Sequence, residues 1–530
     1  MTPTDQHPRW FIGFLFFTAI LCGALIMVVE VLGSRVIGPF FGVSLFIWTS
    51  LIAVTMISLA LGYAVGGRLS DRYGEARYLF AIILLAGIAV LLIPILKAPV
   101  LKLCVPMGLR LGSFVSTTLL FGPSLFLLGF VSPFLVRIAA REMNSLGRTV
   151  GSLYAISTLG SVIGTALTGF VLIAWMGVDQ IFQAVGLLLV LLGAGYLLAV
   201  REYRWLLPLA LLPILLWLQP HRELPNVTMD NGTRAQLIAS VDSHYGSVKV
   251  VDYSFGPKRI RELLIDGLVQ GGVDASNHQS IYEYSYFLEF LPWAMNPQMN
   301  NALMIGMGAG IIPRWYEQQG VVTDVVDIDP VVYQMARDYF GADPVGEWYV
   351  QDARYFLAQS RKQYDLVVMD VFTGDTTPSH LLSVEALELI AKRINGQGTL
   401  AVNLAAELHN DTYMSASVIK TLRQVFDQVE LYPTFAPSAQ SSFGNLAVLA
   451  YNGAPRTLDL TRIRQFPVHP MAREQVQANL GRRFEFPADA RAIVLTDDYN
   501  PMDFFDSDTR EGVREIIINS TPWEILIYSG

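Results

Sequence analysis

Long uncharged apolar runs before residue 220 limit what this chain can fold into more than any other feature. Runs long enough to cross a bilayer as helices fall at 10–31, 43–65, 78–96, 111–136, 151–175, 181–200 and 205–218. Without water to satisfy the backbone, a single spanning run has to be helical. About seven spans are therefore expected. The first is too long for a cleaved leader and lacks a small-residue cleavage site after a short apolar core. The last is short and holds Pro208 and Pro213, which leaves a full crossing, a re-entrant segment and an interfacial segment open. Beyond residue 220 the patterning is that of a soluble domain, so the 530-residue chain, 52% hydrophobic, divides into two parts built for different solvents.

The basic residues suggest an orientation. One side would hold Arg9, then Arg68, Arg72 and Arg77, then Arg137, Arg141 and Arg148, then Arg201 and Arg204, while the other holds Arg35, Lys97, Lys102 and Arg110. That bias puts the N-terminus inside and predicts a multi-pass protein of the inner membrane, in contact with bilayer lipid. Seven full spans would place the second half outside the cytoplasm, and six or eight inside; the sequence leaves the side open. Glu30 and Arg35 flank the end of the first span, either as a functional pair or as a headgroup-level ion pair. The Gly66-Gly67-Arg68-Leu69-Ser70-Asp71-Arg72-Tyr73-Gly74 stretch resembles the loop between the second and third helices of major facilitator transporters. In that family the Asp and Arg brace neighbouring helices, and a structural role is expected here. The span count falls well short of the twelve such a transporter uses.

The second half is organised around residues 301–330, NALMIGMGAGIIPRWYEQQGVVTDVVDIDP. This reads as a buried strand, a turn carrying Gly306, Gly308 and Gly310, a helix opening near Ile311, and a strand ending on Asp327 and Asp329. Glycines that let backbone approach a ligand, unpaired N–H groups at a helix start, and an acid about 20 residues on for ribose hydroxyls form half of a nucleotide-binding fold. Strand and helix signals then alternate: a helix at 331–339, strands at 347–350, 364–369, 398–404, 429–432 and 445–451. An α/β doubly wound sheet follows, Rossmann-like and of the methyltransferase type, with its ligand at the carboxyl ends of the strands. The expected boundaries are a polytopic helical domain over 1–219, an irregular linker over 220–242, a small β region over 243–279 and the Rossmann-like domain over 280–530.

Acids collect at those strand ends. Asp327, Asp352 and Asp370 close three successive strands and Asp375 follows in the next loop. One such Asp is an ordinary cap; three at one edge suggest a polar pocket. The chemistry fits a nucleoside with an amine beside it: Asp327 for ribose, Asp352 for the adenine amino group, and Asp370 to orient or deprotonate an attacking nitrogen. The net charge of −8 argues against a nucleic-acid partner. The two cysteines, Cys22 and Cys104, lie in the apolar half, and the seven histidines lack ligand spacing, so no metal site is expected.

Asp266-Gly267-Leu268-Val269-Gln270, Tyr282-Glu283-Tyr284, the 305–310 turn, Val326-Asp327-Ile328-Asp329, Asp352-Ala353 and Val368-Met369-Asp370 fall in the order seen in spermidine synthases. The chain resembles the membrane-fused branch of that polyamine aminopropyltransferase family, and the closing Leu495-Thr496-Asp497-Asp498-Tyr499-Asn500-Pro501 is similar to that branch too. The resemblance implies aminopropyl transfer from decarboxylated S-adenosylmethionine to an amine such as putrescine. It implies that Gly306, Gly308 and Gly310 line the nucleoside pocket, that Asp327 binds ribose, that Asp352 with Ala353 meets adenine, and that Pro378 closes over the nucleoside. Asp370 would accept the proton, with Gln270, Tyr282 and Asp375 placing the amine; a homo-oligomer stays open.

The departures from the family fall on the substrate side. Ala309 stands where the turn usually has the Asp that holds the aminopropyl amine. Thr373 stands at a second family aspartate, for which Asp375 substitutes if the loop carries a two-residue insertion. Tyr-Glu-Tyr replaces Tyr-His-Glu. Two alternatives follow: a transferase using S-adenosylmethionine itself on another amine, since Ala309 leaves room for that donor's carboxylate, and a non-catalytic extracytoplasmic domain that binds a polyamine or another ligand.

Overall fold

A computed structural model of the chain describes residues 9–42, 45–142, 146–219, 223–343, 345–371, 378–502, 514 and 517–529. The chain forms two compact units, Met1–Glu223 with Ile527–Gly530, and Leu224–Leu526.

The first unit is helical: α1 (Arg9–Phe41), α2 (Leu45–Arg72), α3 (Ala76–Cys104), α4 (Gly108–Gly129), α5 (Val131–Glu142), α6 (Leu146–Leu167), which a π turn links to α7 (Ile173–Trp175), and α8 (Val178–Ala199). Among the described residues five helical stretches are long and apolar enough to cross a membrane, one of them, Ala76–Ala139, running through α3 and α4 into α5. Small residues let these helices touch. A Cβ on Gly160 or Gly164 of α6 would drive into the α1 carbonyls of Ile20 and Ala24, so the two backbones meet without intervening side chains. Two ion pairs join α3 to α8 and the residues just after it, Arg77 to Glu202 at 2.8 Å and the buried Lys97 to Asp179 at 2.5 Å. Asp71 lies 3.9 Å from Arg137 of α5, both side chains exposed.

The seventh expected span differs from a regular helix. Tyr203–Leu211 is a 3-10 run and only Leu212–Trp217, α9, is α-helical, because Pro208 and Pro213 remove backbone donors. The Gln219 amide nevertheless donates to the Leu91 carbonyl of α3 at 2.9 Å and accepts from Gln183 at 3.3 Å. Leu91 lies about 21 Å along α3 from Arg77 at 1.5 Å per residue, so the segment runs back over much of a bilayer-spanning length.

The second unit opens with an antiparallel sheet in the order β1-β2-β3-β4-β5: β1 (Asn226–Thr228), β2 (Arg234–Asp242), β3 (Ser247–Phe255), β4 (Lys258–Ile265) and β5 (Leu268–Asp274). The expected linker over 220–242 is thereby corrected: β1 and β2 occupy most of its described residues. In β2 only Ala235 and Leu237 are buried in alternation before the register shifts past Leu237, too short a pattern to read from sequence.

After α10 (Glu283–Met295) comes the second sheet: β6 (Asn301–Ile305), β7 (Val322–Asp327), β8 (Trp348–Val350), β9 (Tyr364–Met369), β10 (Ile394–Glu407), β11 (Gln428–Pro433) and β12 (Phe443–Tyr451). The order is β11-β12-β10-β9-β6-β7-β8, parallel from β8 to β10 and antiparallel through β12 and β11. This is the expected Rossmann-like, methyltransferase-type fold. Strand β6 shows why the sheet is covered on both faces: Ala302 and Met304 join one apolar core with α10, while Leu303 and Ile305 join another with α14 (Val384–Ala391) and α15 (Tyr413–Val425). Between β6 and β9 the strand order reverses, leaving a crevice at their carboxyl ends.

Candidate active site

The turn after β6 forms the floor of that crevice. Gly306 has φ +81°, and a Cβ there would meet the Asp370 carbonyl oxygen, so only glycine brings β6 and the end of β9 this close. Gly308 faces the Gln270 carbonyl of β5. Gly310 caps α11 (Ile311–Gln318) in the left-handed region, and a Cβ there would strike Ala342, so close packing at the start of the helix requires glycine.

Asp327 ends β7 with both carboxylate oxygens engaged, accepting from Met307 N and Asp329 N at 2.8 Å each. Burial pushes its carboxyl up to about 6, although those backbone donors pull the other way. Asp329 caps α12 (Pro330–Phe340) through Val331 N and accepts from Ser243 Oγ at 2.5 Å. Asp352 caps α13 (Ala353–Gln359) through Tyr355 N, and its other oxygen lies 3.2 Å from His380 Nε2. Ala353 opens that helix against the core. Pro378 is buried at the start of the short 3-10 turn Ser379–Leu381.

Sequence reasoning missed Tyr245, in the turn between β2 and β3. The residue is half-exposed, and partial burial together with the charges of Asp329, Asp352 and Asp327 pushes its hydroxyl up.

On the opposite side of the turn stands Asp370, just past β9. Asn403 of β10 donates to Asp370 Oδ1 at 2.9 Å, and Asn445 of β12 donates to Asn403 Oδ1 at 3.0 Å. This amide chain crosses three neighbouring strands. Burial raises the Asp370 carboxyl to about 6, with the Asn403 hydrogen bond opposing. A carboxylate of this kind takes up a proton more readily than a surface one, as a general base for an ammonium group requires.

Two tyrosines two positions apart take different partners. The Tyr282 hydroxyl donates to Glu262 of β4 at 2.5 Å. The Tyr284 hydroxyl donates to the Gln270 carbonyl at 3.2 Å and is pushed up by burial and then by the Asp370 charge. The helix start decides this, since Tyr282 is the N-cap of α10 and Tyr284 lies one residue inside it. Gln270 thus reaches the site through its carbonyl. Ala309 packs against Gly271, where a Cβ would come 3.1 Å from Ala309 Cβ and 3.5 Å from the Tyr284 hydroxyl. Asp375 and Thr373 lie outside the described residues.

Comparison with known proteins bears on this unit. Residues 271–456 match the family model described as the spermine/spermidine synthase domain. The chain is 34% identical over 166 residues to an N-terminal histidine N-methyltransferase of Emericella nidulans, covering 30% of this chain and 29% of that protein. It is 30% identical over 197 residues to polyamine aminopropyltransferase 2 of Pseudomonas aeruginosa, covering 35% of this chain and 55% of that protein. It is 28% identical over 219 residues to a polyamine aminopropyltransferase of Vibrio vulnificus, covering 39% and 70%. The chain thus spans about half or less of the first two relatives.

Proposed function

We propose that the second unit is an aminopropyltransferase that moves an aminopropyl group from decarboxylated S-adenosylmethionine to an amine such as putrescine, and that the first unit anchors it in the inner membrane. The observation that carries this reading is Asp370: a carboxylate raised to about 6, held by Asn403 and neighboured by the Tyr284 hydroxyl at the carboxyl edge of the sheet. The synthase domain and the aminopropyltransferase relatives support it.

The chemistry follows from charge. An amine acceptor is an ammonium ion at neutral pH and has no lone pair to attack with. Asp370 accepts one proton, and the freed nitrogen attacks the methylene carbon next to the donor's sulfonium. A C–N bond forms, the C–S bond breaks, and its electron pair stays on sulfur as neutral methylthioadenosine. Asp327 and Asp352 would hold the ribose and adenine so that this carbon faces Asp370, which lowers the barrier by orientation.

Ala309 favours a second reading, methyl transfer from S-adenosylmethionine. The family's amine-binding carboxylate is absent there, and the Emericella relative is named for N-methyl transfer. Full-length protein supplied with each donor and putrescine separates the two: methylthioadenosine from the decarboxylated donor supports the first, S-adenosylhomocysteine the second, and neither product overturns both.

Aminopropyl transfer also needs the site on the cytoplasmic side, where a soluble donor is supplied. Against this stands the 203–219 segment, whose return along α3 counts toward a seventh crossing. Reporter fusions after Val200, Pro220 and Gly530 test the condition. A cytoplasmic signal at both later sites is the expected result, and an extracytoplasmic one removes the reading in favour of ligand binding.

A further inference from the structure

The Leu495–Asn500 stretch takes no part in the chemistry above, yet its side chains converge beside the nucleoside end of the site. Asp497 receives both arms of the Arg354 guanidinium, the NH1 contact at 2.8 Å, and the Ser383 hydroxyl at 2.6 Å. Its own N–H donates to Glu385 at 3.0 Å. Asn500 donates to the Ser379 carbonyl at 2.8 Å, and Leu495 O accepts from Val384 N at 3.0 Å. The stretch thus clips both ends of the turn 379–383. Arg354 completes the connection, because its NH1 also donates to the His380 carbonyl at 3.1 Å while the His380 ring meets Asp352.

Charge explains why a carboxylate is needed at 497. Arg354 sits two residues after Asp352 and feels three acids, Asp497 most strongly, then Glu385 and Asp352. A bidentate carboxylate fixes a guanidinium in direction as well as in place. Freed from Asp497, Arg354 would turn to the remaining carboxylates, and Asp352 is the one that reads the nucleoside.

We infer that Asp497 is a positioning residue for nucleoside recognition: it holds Arg354 and Ser383 so that the 379–383 turn is set and the Asp352 carboxylate is kept free of Arg354 for the adenine end of the donor. This rests on the nucleoside-binding reading above. It assigns the closing stretch a role in affinity, separate from proton transfer at Asp370.

The test is calorimetric titration of the full chain in detergent with methylthioadenosine and with S-adenosylhomocysteine. In Asp497→Asn the Kd is expected to rise at least tenfold, while kcat at saturating donor stays within twofold and the pH profile is unmoved. Arg354→Met, added to Asp497→Asn, should weaken binding no further, since the two act as one unit. Wild-type protein that binds neither nucleoside overturns the functional reading and this inference with it. Wild-type protein that binds, alongside an Asp497→Asn variant of equal affinity, overturns the clip alone. If Asp497→Asn lacks a cooperative melt, Asn500→Ala takes its place, with a raised Kd supporting the clip and an unchanged one overturning it.

Discussion

The two halves of the crevice are built by different means. On the nucleoside half, each acid takes a backbone N–H close in sequence, Asp327 from Asp329, Asp329 from Val331 and Asp352 from Tyr355, beside longer-range contacts to Met307 N, Ser243 and His380. On the reacting half every contact joins distant segments: Asp370 to Asn403 and on to Asn445, Tyr284 to Gln270, Ala309 against Gly271. Locally anchored acids come with the fold, so they persist wherever a strand ends and a helix starts. The reacting half can change without disturbing them, and that is where this chain departs from the synthase pattern.

The comparison is broken most directly at Asp370. Asp370→Asn should lower kcat by about 10²- to 10⁴-fold, the contribution of a general base, with Kd for methylthioadenosine unchanged. The folded carboxyl binds its proton more tightly than the unfolded one, so its favourable contribution to stability is present at low pH and is lost as pH rises through about 6. The same variant should accordingly melt higher than wild type at pH 8 and not at pH 4. Loss of nucleoside affinity instead would show that the halves are not separable.

Restoring charge opposite Tyr284 comes next. Ala309→Asp should raise the preference for decarboxylated donor over S-adenosylmethionine by roughly 10- to 100-fold, the value of a charge-assisted hydrogen bond of about 1.5–3 kcal/mol, read as a ratio of kcat/KM. No change in that ratio would mean the donor's amine end lies elsewhere.

The two tyrosines sharpen the contrast at a smaller scale. Tyr284→Phe should cost roughly fivefold in kcat/KM, about one neutral hydrogen bond. Tyr282→Phe should leave turnover intact but destabilise the unit by about 1–3 kcal/mol, because the buried Glu262 loses its donor. The reverse pattern would restore Tyr282 to the site.

The smallest effect is a shift of pH profile. Activity should rise with pH through about 6 as Asp370 ionises. Asn403→Ala removes the bond that favours the ionised form, so the acid limb should move to higher pH, with the loss of rate larger at pH 6 than at pH 8. A limb that stays in place would detach Asn403 from the base.

Much of this molecule was legible before any coordinates. Long apolar runs are local statements about solvent. The 364–369 strand was read with the bounds it has as β9, and Asp327, Asp352 and Asp370 lie at the strand ends where alternation placed them. Capping carboxylates and glycine turns depend on residues a few positions apart, so spacing alone carries them.

What spacing cannot carry is contact across the fold. Only the tertiary structure gave Tyr282 and Tyr284 their different partners, since these depend on where α10 starts relative to β4 and β5. Only strand order set Asn403 and Asn445 behind Asp370, because the parallel β9–β10 pair and the antiparallel β10–β12 pair join residues some 30 to 40 positions apart. The sequence by itself determined that a unit of long apolar helices precedes an α/β sheet with acids along one edge. The structure decided which partners each acid takes, where the hydroxyls of Tyr282 and Tyr284 are bonded and what the closing Asp497 stretch holds. A hydrogen bond between distant segments leaves no periodicity in the chain to be read.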